Sequence, residues 1–180
     1  GVENTSGPLG QGHVMAVGSA IAERFLQARF GDVVAHKTYA FISDGGIQEE
    51  ISQGAGRIAG TLGLNNLIMF YDSNGVQLST KVAAVDTEDV ASKYRAWNWN
   101  VLEVDGSDPS AIYDALEVAR KEENRPTLII GRTIMAQGVL KPTAPLSRGL
   151  SIHMASRCRR QAPTSPQPSA IMEVTPRTPG

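Results

Sequence analysis

This chain of 180 residues has little cysteine, no excess of either charge and no long apolar run. One cysteine cannot form an internal disulfide framework. The 17 Lys and Arg nearly balance the 18 Asp and Glu, so the formal net charge is −1. That balance gives no electrostatic footprint for nucleic acid or for an anionic membrane surface. No apolar run approaches the roughly 20 residues that a membrane span needs.

The start of the chain lacks a signal peptide, because residues 1–4 read Gly-Val-Glu-Asn and are polar. The first residue is a glycine rather than a methionine. We therefore expect a soluble, cytoplasmic protein that binds neither nucleic acid nor membrane, and we expect this chain to be a piece of a longer one.

Aromatic residues are absent from residues 142–180, whereas all 10 Phe, Tyr and Trp lie before residue 142. Seven of the 10 prolines fall in that last stretch, with five arginines and one acidic residue. A segment of this composition buries too little apolar surface to offset the entropy that it would lose on ordering. We predict a folded domain over residues 1–141 and an irregular tail over residues 142–180.

The folded part alternates short apolar runs with stretches of helical periodicity. The runs predict strands at residues 39–42, 67–71, 101–104 and 127–130, with the first buried on both faces. The periodic stretches predict helices at about residues 12–30, 47–62, 87–97 and 109–121. Thr87 is the expected N-cap of the third helix, and Ser107 or Asp108 that of the fourth. This alternation predicts an α/β fold, a parallel sheet with helices on both faces.

Polar side chains follow two of the predicted strands, at the edge of the sheet where ligands bind in such folds. Residues 43–46 read Ser-Asp-Gly-Gly, and residues 72–75 read Asp-Ser-Asn-Gly. Carboxylate and amide oxygens suit octahedral Mg²⁺, and glycine next to a helix N-terminus lets a phosphate approach the backbone. Taken alone, both segments are more typical of ordinary turns, in which Asp-Gly and Asn-Gly are common.

A third cluster makes the pattern specific. Residues 7–12 read Gly-Pro-Leu-Gly-Gln-Gly and lead into the first helix. Together with Ser-Asp-Gly after the first strand and Asp-Ser-Asn about thirty residues later, this order resembles the diphosphate-binding domain of the transketolases, a thiamine diphosphate family. The resemblance covers residues 1 to about 138.

The resemblance implies roles for individual residues of this sequence. Asp44 and Asn74 match the side-chain ligands of Mg²⁺, and the Val76 carbonyl matches a backbone ligand. The positions that match contacts to thiamine diphosphate are Gly7, Pro8, Leu9, Gly45 and Asn74.

Glu49 matches a glutamate of the hydrogen-bond network between the two sites of the family's dimer. A solvated charge in the first turn of a helix explains Glu49 equally well. For the dimer contact we expect the Gly- and Ala-rich face of residues 47–62.

Other residues depart from the family or match no family role. Ser43 stands where the family usually has glycine, so a Cβ there is expected to crowd the backbone. His13 and His36 match no catalytic histidine and are expected at the surface. Trp97 and Trp99 are expected to serve as packing residues.

The activity that the resemblance implies is the transfer of a two-carbon ketol unit from a ketose phosphate to an aldose phosphate. The chain would then be a transferase fragment that holds the diphosphate through Mg²⁺ and is inactive alone, within a full-length homodimer. Two alternatives remain open: the small subunit of a split transketolase, and a non-catalytic α/β module that binds Mg²⁺ or a nucleotide.

The tail departs from the family. A transketolase continues into a loop that contains His-Gly-x-Pro-Leu, and residues 142–180 lack it. When the last base of each codon is read with the first two of the next, codons available to residues 152–169 permit Thr-His-Gly-Gln-Pro-Leu. We therefore interpret residues 142–180 as a shifted reading frame, with a base lost near Lys141 and Pro142. The alternative is a genuine disordered tail, a basic interaction segment.

Overall fold

The fold was determined as a computed structural model that describes residues 2–78 and 80–138. The strands are β1 (Thr38–Ser43), β2 (Leu67–Ser73), β3 (Val76–Gln77), β4 (Thr80–Lys81), β5 (Asn100–Asp105) and β6 (Thr127–Arg132). The helices are α1 (Gln11–Phe30), α2 (Asp44–Gln48), α3 (Glu50–Thr61), α4 (Val90–Ala96) and α5 (Pro109–Lys121). The irregular tail and shifted frame predicted for residues 142–180 lie outside the described residues.

Four strands form one parallel sheet in the order β1–β2–β6–β5, and β3 pairs with β4 in a small antiparallel hairpin. In the sheet register, Ser43 pairs with Asp72 and Ser73 pairs with Arg132. The carboxyl ends of β1, β2 and β6 therefore meet at one edge. The predicted parallel α/β sheet is confirmed, and its polar strand ends are brought together.

Helices cover both faces of the sheet, as predicted. On one face, small residues of α1 and α3 and the side chains of α4 pack on β2 and β6. On the other face, Ala115 and Ala119 of α5 pack on Ile68 and Ile129. Parallel strands that are buried in this way need near-continuous apolar runs, which β2 and β6 supply. Among the described residues, no helix is both long enough and apolar enough to cross a membrane.

The edge strand β1 is buried on one face only, so the prediction of burial on both faces is wrong. Ala40 and Ile42 pack against the core of the first face. Tyr39 and Phe41 point to the face of α5 and stay exposed, Phe41 by 84%, because α5 packs over β5 and β6 and does not reach β1. The ring of Phe41 lies against the ring of Phe70 on the neighbouring strand, at 5.8 Å between ring centroids.

Two helix boundaries differ from the prediction. The predicted helix 47–62 is interrupted at Glu49, whose extended backbone (φ −62°, ψ 132°) separates α2 from α3. Thr87 is not the N-cap of α4, because Asp89 takes that position and its side chain accepts from the Ser92 amide at 3.0 Å. Of the two caps predicted for α5, the structure selects Asp108.

The small residues of α3 pack inside the domain. Gly56 and Gly60 face Trp97, and the indole N–H of Trp99 donates to the Gly56 carbonyl at 2.8 Å. This close approach confirms the packing role of both tryptophans. The other small residues of this face, Ala55 and Ala59, are buried as well, whereas Gly54 has open space, and the dimer contact expected for residues 47–62 stays a prediction.

His13 is buried, so the prediction of a surface residue is wrong. It is 5% exposed, on the α1 face that also buries Ala16, Val17 and Ala20. Neither ring nitrogen has a hydrogen-bond partner in the structure, and burial lowers the pKa of the imidazole from 6.5 to about 4. His36 is exposed, as predicted.

Candidate functional site

The Asp44 carboxylate lies at the centre of a hydrogen-bonded cluster where β1 ends. It is 2% exposed. Its Oδ1 accepts from the Tyr71 hydroxyl at 2.6 Å, and its Oδ2 accepts from the backbone amides of Asn74 and Gly75, each at 3.1 Å. Asp44 forms no ion pair within the described ranges, so these three donors balance its buried charge.

The local sequence explains why Asp44 occupies this position. Ser43 ends β1 with an extended backbone (φ −105°), and its hydroxyl caps α2 by accepting from the Gly46 amide at 3.4 Å. The crowding expected from the Ser43 Cβ stays a prediction.

Asn74 is held by a second set of contacts. Its amide nitrogen donates to Asp72 at 3.3 Å, and its Oδ1 accepts from the Val76 amide at 3.0 Å. Asp72 also accepts from the Thr133 hydroxyl, which follows β6. Asp72 thus holds the side-chain nitrogen of Asn74, and the side-chain oxygen of Asn74 faces Val76.

The loop at residues 7–10 approaches the same edge through a single contact. A Cβ at Gly45 would lie 3.2 Å from a methyl carbon of Leu9, so Leu9 covers the backbone next to Asp44. Gly7, Pro8 and Leu9 are exposed. Open space surrounds Gly7, where a Cβ would have no neighbour within 4 Å.

Gly10 holds this loop in its place. Its φ of 83° lies in the left-handed region, and a Cβ there would lie 2.7 Å from the side chain of Ile51. Glycine tolerates both the left-handed backbone and the close approach of Ile51 because it has no side chain. At the following turn, the Ser6 hydroxyl accepts from the Gly12 amide at 3.2 Å and closes the start of α1.

The oxygen atoms gathered here fit a hard divalent cation. Asp44 supplies a carboxylate and Asn74 an amide oxygen within one hydrogen-bonded cluster, which Val76 joins through its backbone amide, and Mg²⁺ prefers such oxygen ligands. The described residues contain no group of three or more His, Cys, Asp or Glu side chains that could hold a metal by themselves. A cation at this site would therefore need further ligands, such as phosphate oxygens and water.

Glu49 stands apart from this cluster. It is exposed and occupies the N-cap position of α3, where its side chain makes no capping hydrogen bond. The structure brings Asp44, Gly45, Leu9, Asn74 and Val76 to one edge, and Glu49 lies at the break between α2 and α3 beside Gly10.

A cavity of about 590 Å³ adjoins the site on the side of the β3–β4 hairpin. Of the predicted site residues, Asp44 alone lines it. At its far side, Glu103 accepts from Arg95 and Arg132, and these two arginines hold the pKa of that carboxyl below its usual range.

Two residues of the cluster, Tyr71 and Thr133, had no role predicted from the sequence, and Asp72 was part of a predicted polar segment without a role of its own. Burial, followed by the hydrogen bond to Asp44, raises the pKa of the Tyr71 phenol above its ordinary value. Tyr71 ends an apolar run, which is typical of a strand residue. Thr133 follows β6, 61 residues after Asp72, and only the sheet order places it here.

The chain matches known proteins over most of its length. The family model described as "Transketolase, thiamine diphosphate binding domain" matches residues 1–155. Transketolase 2 of Escherichia coli is 46% identical over 143 residues, which are 77% of this chain and 21% of that protein.

Solved structures agree with this match. A transketolase from Campylobacter jejuni superposes with a TM-score of 0.74 at 41% identity, over 77% of this chain and 22% of its own. A transketolase from Pichia stipitis in complex with sedoheptulose 7-phosphate gives a TM-score of 0.71 at 37% identity, over the same shares of the two chains. The chain thus spans about a fifth of the length of these relatives.

Proposed function

Because the chain belongs to the transketolase thiamine diphosphate-binding domain family, we propose that its described part holds the diphosphate of thiamine diphosphate through Mg²⁺. The observation that carries this proposal is the buried Asp44 carboxylate, hydrogen-bonded to the backbone of Asn74 and Gly75. That contact joins the ends of two strands into one oxygen-rich cluster.

Each residue of the cluster has a physical task in this proposal. Asp44, Asn74 and the Val76 carbonyl hold Mg²⁺, which leaves coordination positions for diphosphate oxygens and water. Gly45 lets the diphosphate approach the backbone because it has no side chain. The exposed residues Gly7, Pro8 and Leu9 cover the cofactor from the loop before α1, with Leu9 already in place beside Gly45.

The full-length protein is proposed to transfer a two-carbon ketol unit from a ketose phosphate to an aldose phosphate. The bound cofactor would supply the electron sink for carbon–carbon cleavage. The Pichia stipitis relative solved with sedoheptulose 7-phosphate supports sugar phosphates as substrates. This chain contributes cofactor anchoring to that reaction.

The complete enzyme is proposed to be a homodimer, with Glu49 in a network at the subunit interface. The exposure of Glu49 supports this role, because its side chain is free to meet a partner subunit. A chain that spans a fifth of its relatives is expected to be inactive alone. The cytoplasmic location stays a prediction.

Calorimetric titration of the 180-residue chain tests the proposal. The ligands are thiamine diphosphate and ATP, each with Mg²⁺ and with EDTA. We expect saturable binding of thiamine diphosphate that disappears with EDTA. Saturable binding of ATP without a response to thiamine diphosphate would support the nucleotide-binding module instead and overturn the cofactor assignment.

A further inference from the structure

Two tyrosine hydroxyls are buried near the sheet, and they differ in their hydrogen bonding. The Tyr71 hydroxyl donates to Asp44 Oδ1 at 2.6 Å, and both residues are buried. The Tyr94 hydroxyl is buried among Trp97 and Trp99 and has no hydrogen-bond partner among the described residues. Tyr94 is therefore a buried phenol without a contact to the candidate metal ligands and can serve as a control for Tyr71.

The sheet register explains the contact of Tyr71 with Asp44. Tyr71 pairs with Ile42 across β1 and β2, two residues before Asp44. Its side chain points to the face of α1 and α3, with Leu67 and Met69 of the same strand. From that position the hydroxyl reaches the first residue of α2.

A count of acceptor positions links this contact to the metal. An ionised carboxylate offers about four lone-pair positions, two on each oxygen. The amides of Asn74 and Gly75 fill both positions on Asp44 Oδ2, and Tyr71 fills one on Oδ1. One lone-pair position of the carboxylate remains free, and it lies on Oδ1, the oxygen that accepts from Tyr71.

We propose that Tyr71 is a positioning residue that holds Asp44 Oδ1 for the cation. This inference rests on the proposed function. The hydroxyl fixes the rotation of the carboxylate, so that Oδ1 presents its free position to the metal before the metal arrives. Groups that orient a metal ligand typically contribute about 10- to 100-fold in metal affinity.

The test compares Tyr71→Phe with Tyr94→Phe in the 180-residue chain. Each variant loses one buried hydroxyl and keeps its ring. At a fixed concentration of thiamine diphosphate, Mg²⁺ is titrated and its half-saturation is measured by calorimetry. We expect the half-saturation to rise about 10-fold or more in Tyr71→Phe and to stay at the wild-type value in Tyr94→Phe.

Two further measurements separate positioning from a purely structural role. At saturating Mg²⁺, Tyr71→Phe is expected to recover the wild-type affinity for thiamine diphosphate, because every ligand is still present. Thermal unfolding in EDTA reports the stability of the metal-free fold. A lower Tm in EDTA with an unchanged Mg²⁺ half-saturation would overturn the inference, as would loss of the wild-type circular dichroism spectrum.

The failure of the proposed function is distinguishable from the failure of this inference. If the wild-type chain shows no Mg²⁺-dependent binding of thiamine diphosphate, both are overturned. If the wild-type chain binds and Tyr71→Phe has the same Mg²⁺ half-saturation, only the role of Tyr71 is overturned.

Discussion

Gly60 packs against the backbone of Trp97 so closely that a Cβ on Gly60 would lie 1.7 Å from the Trp97 carbonyl oxygen. This contact joins α3 to the segment that follows α4. The Trp97 backbone cannot move away from an added Cβ as easily as the end of a flexible side chain could. The position therefore admits glycine alone.

Gly60→Ala is expected to destabilise the fold by about 3 kcal/mol or more, because overpacking against backbone displaces a helix. Gly54→Ala is the control in the same helix, where a Cβ meets nothing within 4 Å. That variant should gain roughly 0.5–1 kcal/mol, since alanine has the higher helix propensity. Urea unfolding of the three proteins measures both values, and equal stabilities would contradict the packing described here.

Asp44→Asn is expected to weaken Mg²⁺-dependent binding of thiamine diphosphate by about 100-fold or more, because removal of a ligand charge costs at least as much as removal of a group that orients a ligand. The variant keeps the shape of the side chain and one acceptor oxygen. Calorimetry with Mg²⁺ and with EDTA measures the loss.

Asp114→Asn removes the same charge from the exposed surface of α5 and serves as the control for Asp44. It should bind like the wild type. Wild-type affinity in Asp44→Asn would show that the cation is held elsewhere.

His13→Leu is expected to raise stability at acidic pH. The unfolded histidine takes up a proton below its ordinary pKa of 6.5, whereas the folded one stays neutral down to about 4. The unfolded state thus binds more protons in this window, and wild-type stability falls as the pH falls from 6.5 to 4, by up to about 3 kcal/mol.

Thermal unfolding from pH 7.5 to pH 4.5 checks the role of His13. The Tm of His13→Leu should fall less steeply than that of the wild type. His36→Leu, which removes an imidazole from an exposed position, is the control substitution. Parallel slopes in all three proteins would mean that His13 is protonated in the folded state.

Asp89→Ala is expected to lower the Tm at neutral pH, because the α4 cap loses its hydrogen bond to the Ser92 amide. Thr87→Ala, at the position first predicted as the cap, should leave the Tm unchanged. The hydrogen bonds from Ser92 lower the pKa of Asp89 below 3.8. The stabilisation from the ionised Asp89 carboxylate is therefore present above pH 3.8 and is lost as the pH falls through the lowered pKa. The Tm values of the wild type and of Asp89→Ala should then converge in acid.

The strands could be predicted because buried parallel strands need continuous apolar runs, and β2 and β6 have them. The break at Glu49 could not be predicted, because one extended residue between two helical segments does not change the spacing of apolar residues visibly. Thr87 was predicted as the cap of α4, but Asp89 is as good a capping residue and takes the position in the structure. His13 did carry a signal: it shares the helical stripe of Ala16, Val17 and Ala20, and its polarity argued against burial.

The candidate site was only partly predictable for a similar reason. Asp44 and Asn74 follow two strands directly, and their roles were predicted because this order, together with the Gly-Pro-Leu-Gly-Gln-Gly loop, resembles the transketolases. Tyr71 and Thr133 act through contacts between strands, which depend on register and on the spatial order of β2 and β6. A single sequence shows neither the register nor the spatial order of the strands. The residues that hold the candidate ligands could therefore be identified only from the structure.

The donors that surround Asp44 lie about thirty residues further along the chain. The carboxylate therefore meets them only after β1 and β2 have paired, and the unfolded chain has no equivalent site. A ligand bound there acts on the native form alone, and by mass action it adds about 2.7 kcal/mol of stability at a concentration of 100 times its Kd. Supply of that ligand would then raise the fraction of the chain that is folded.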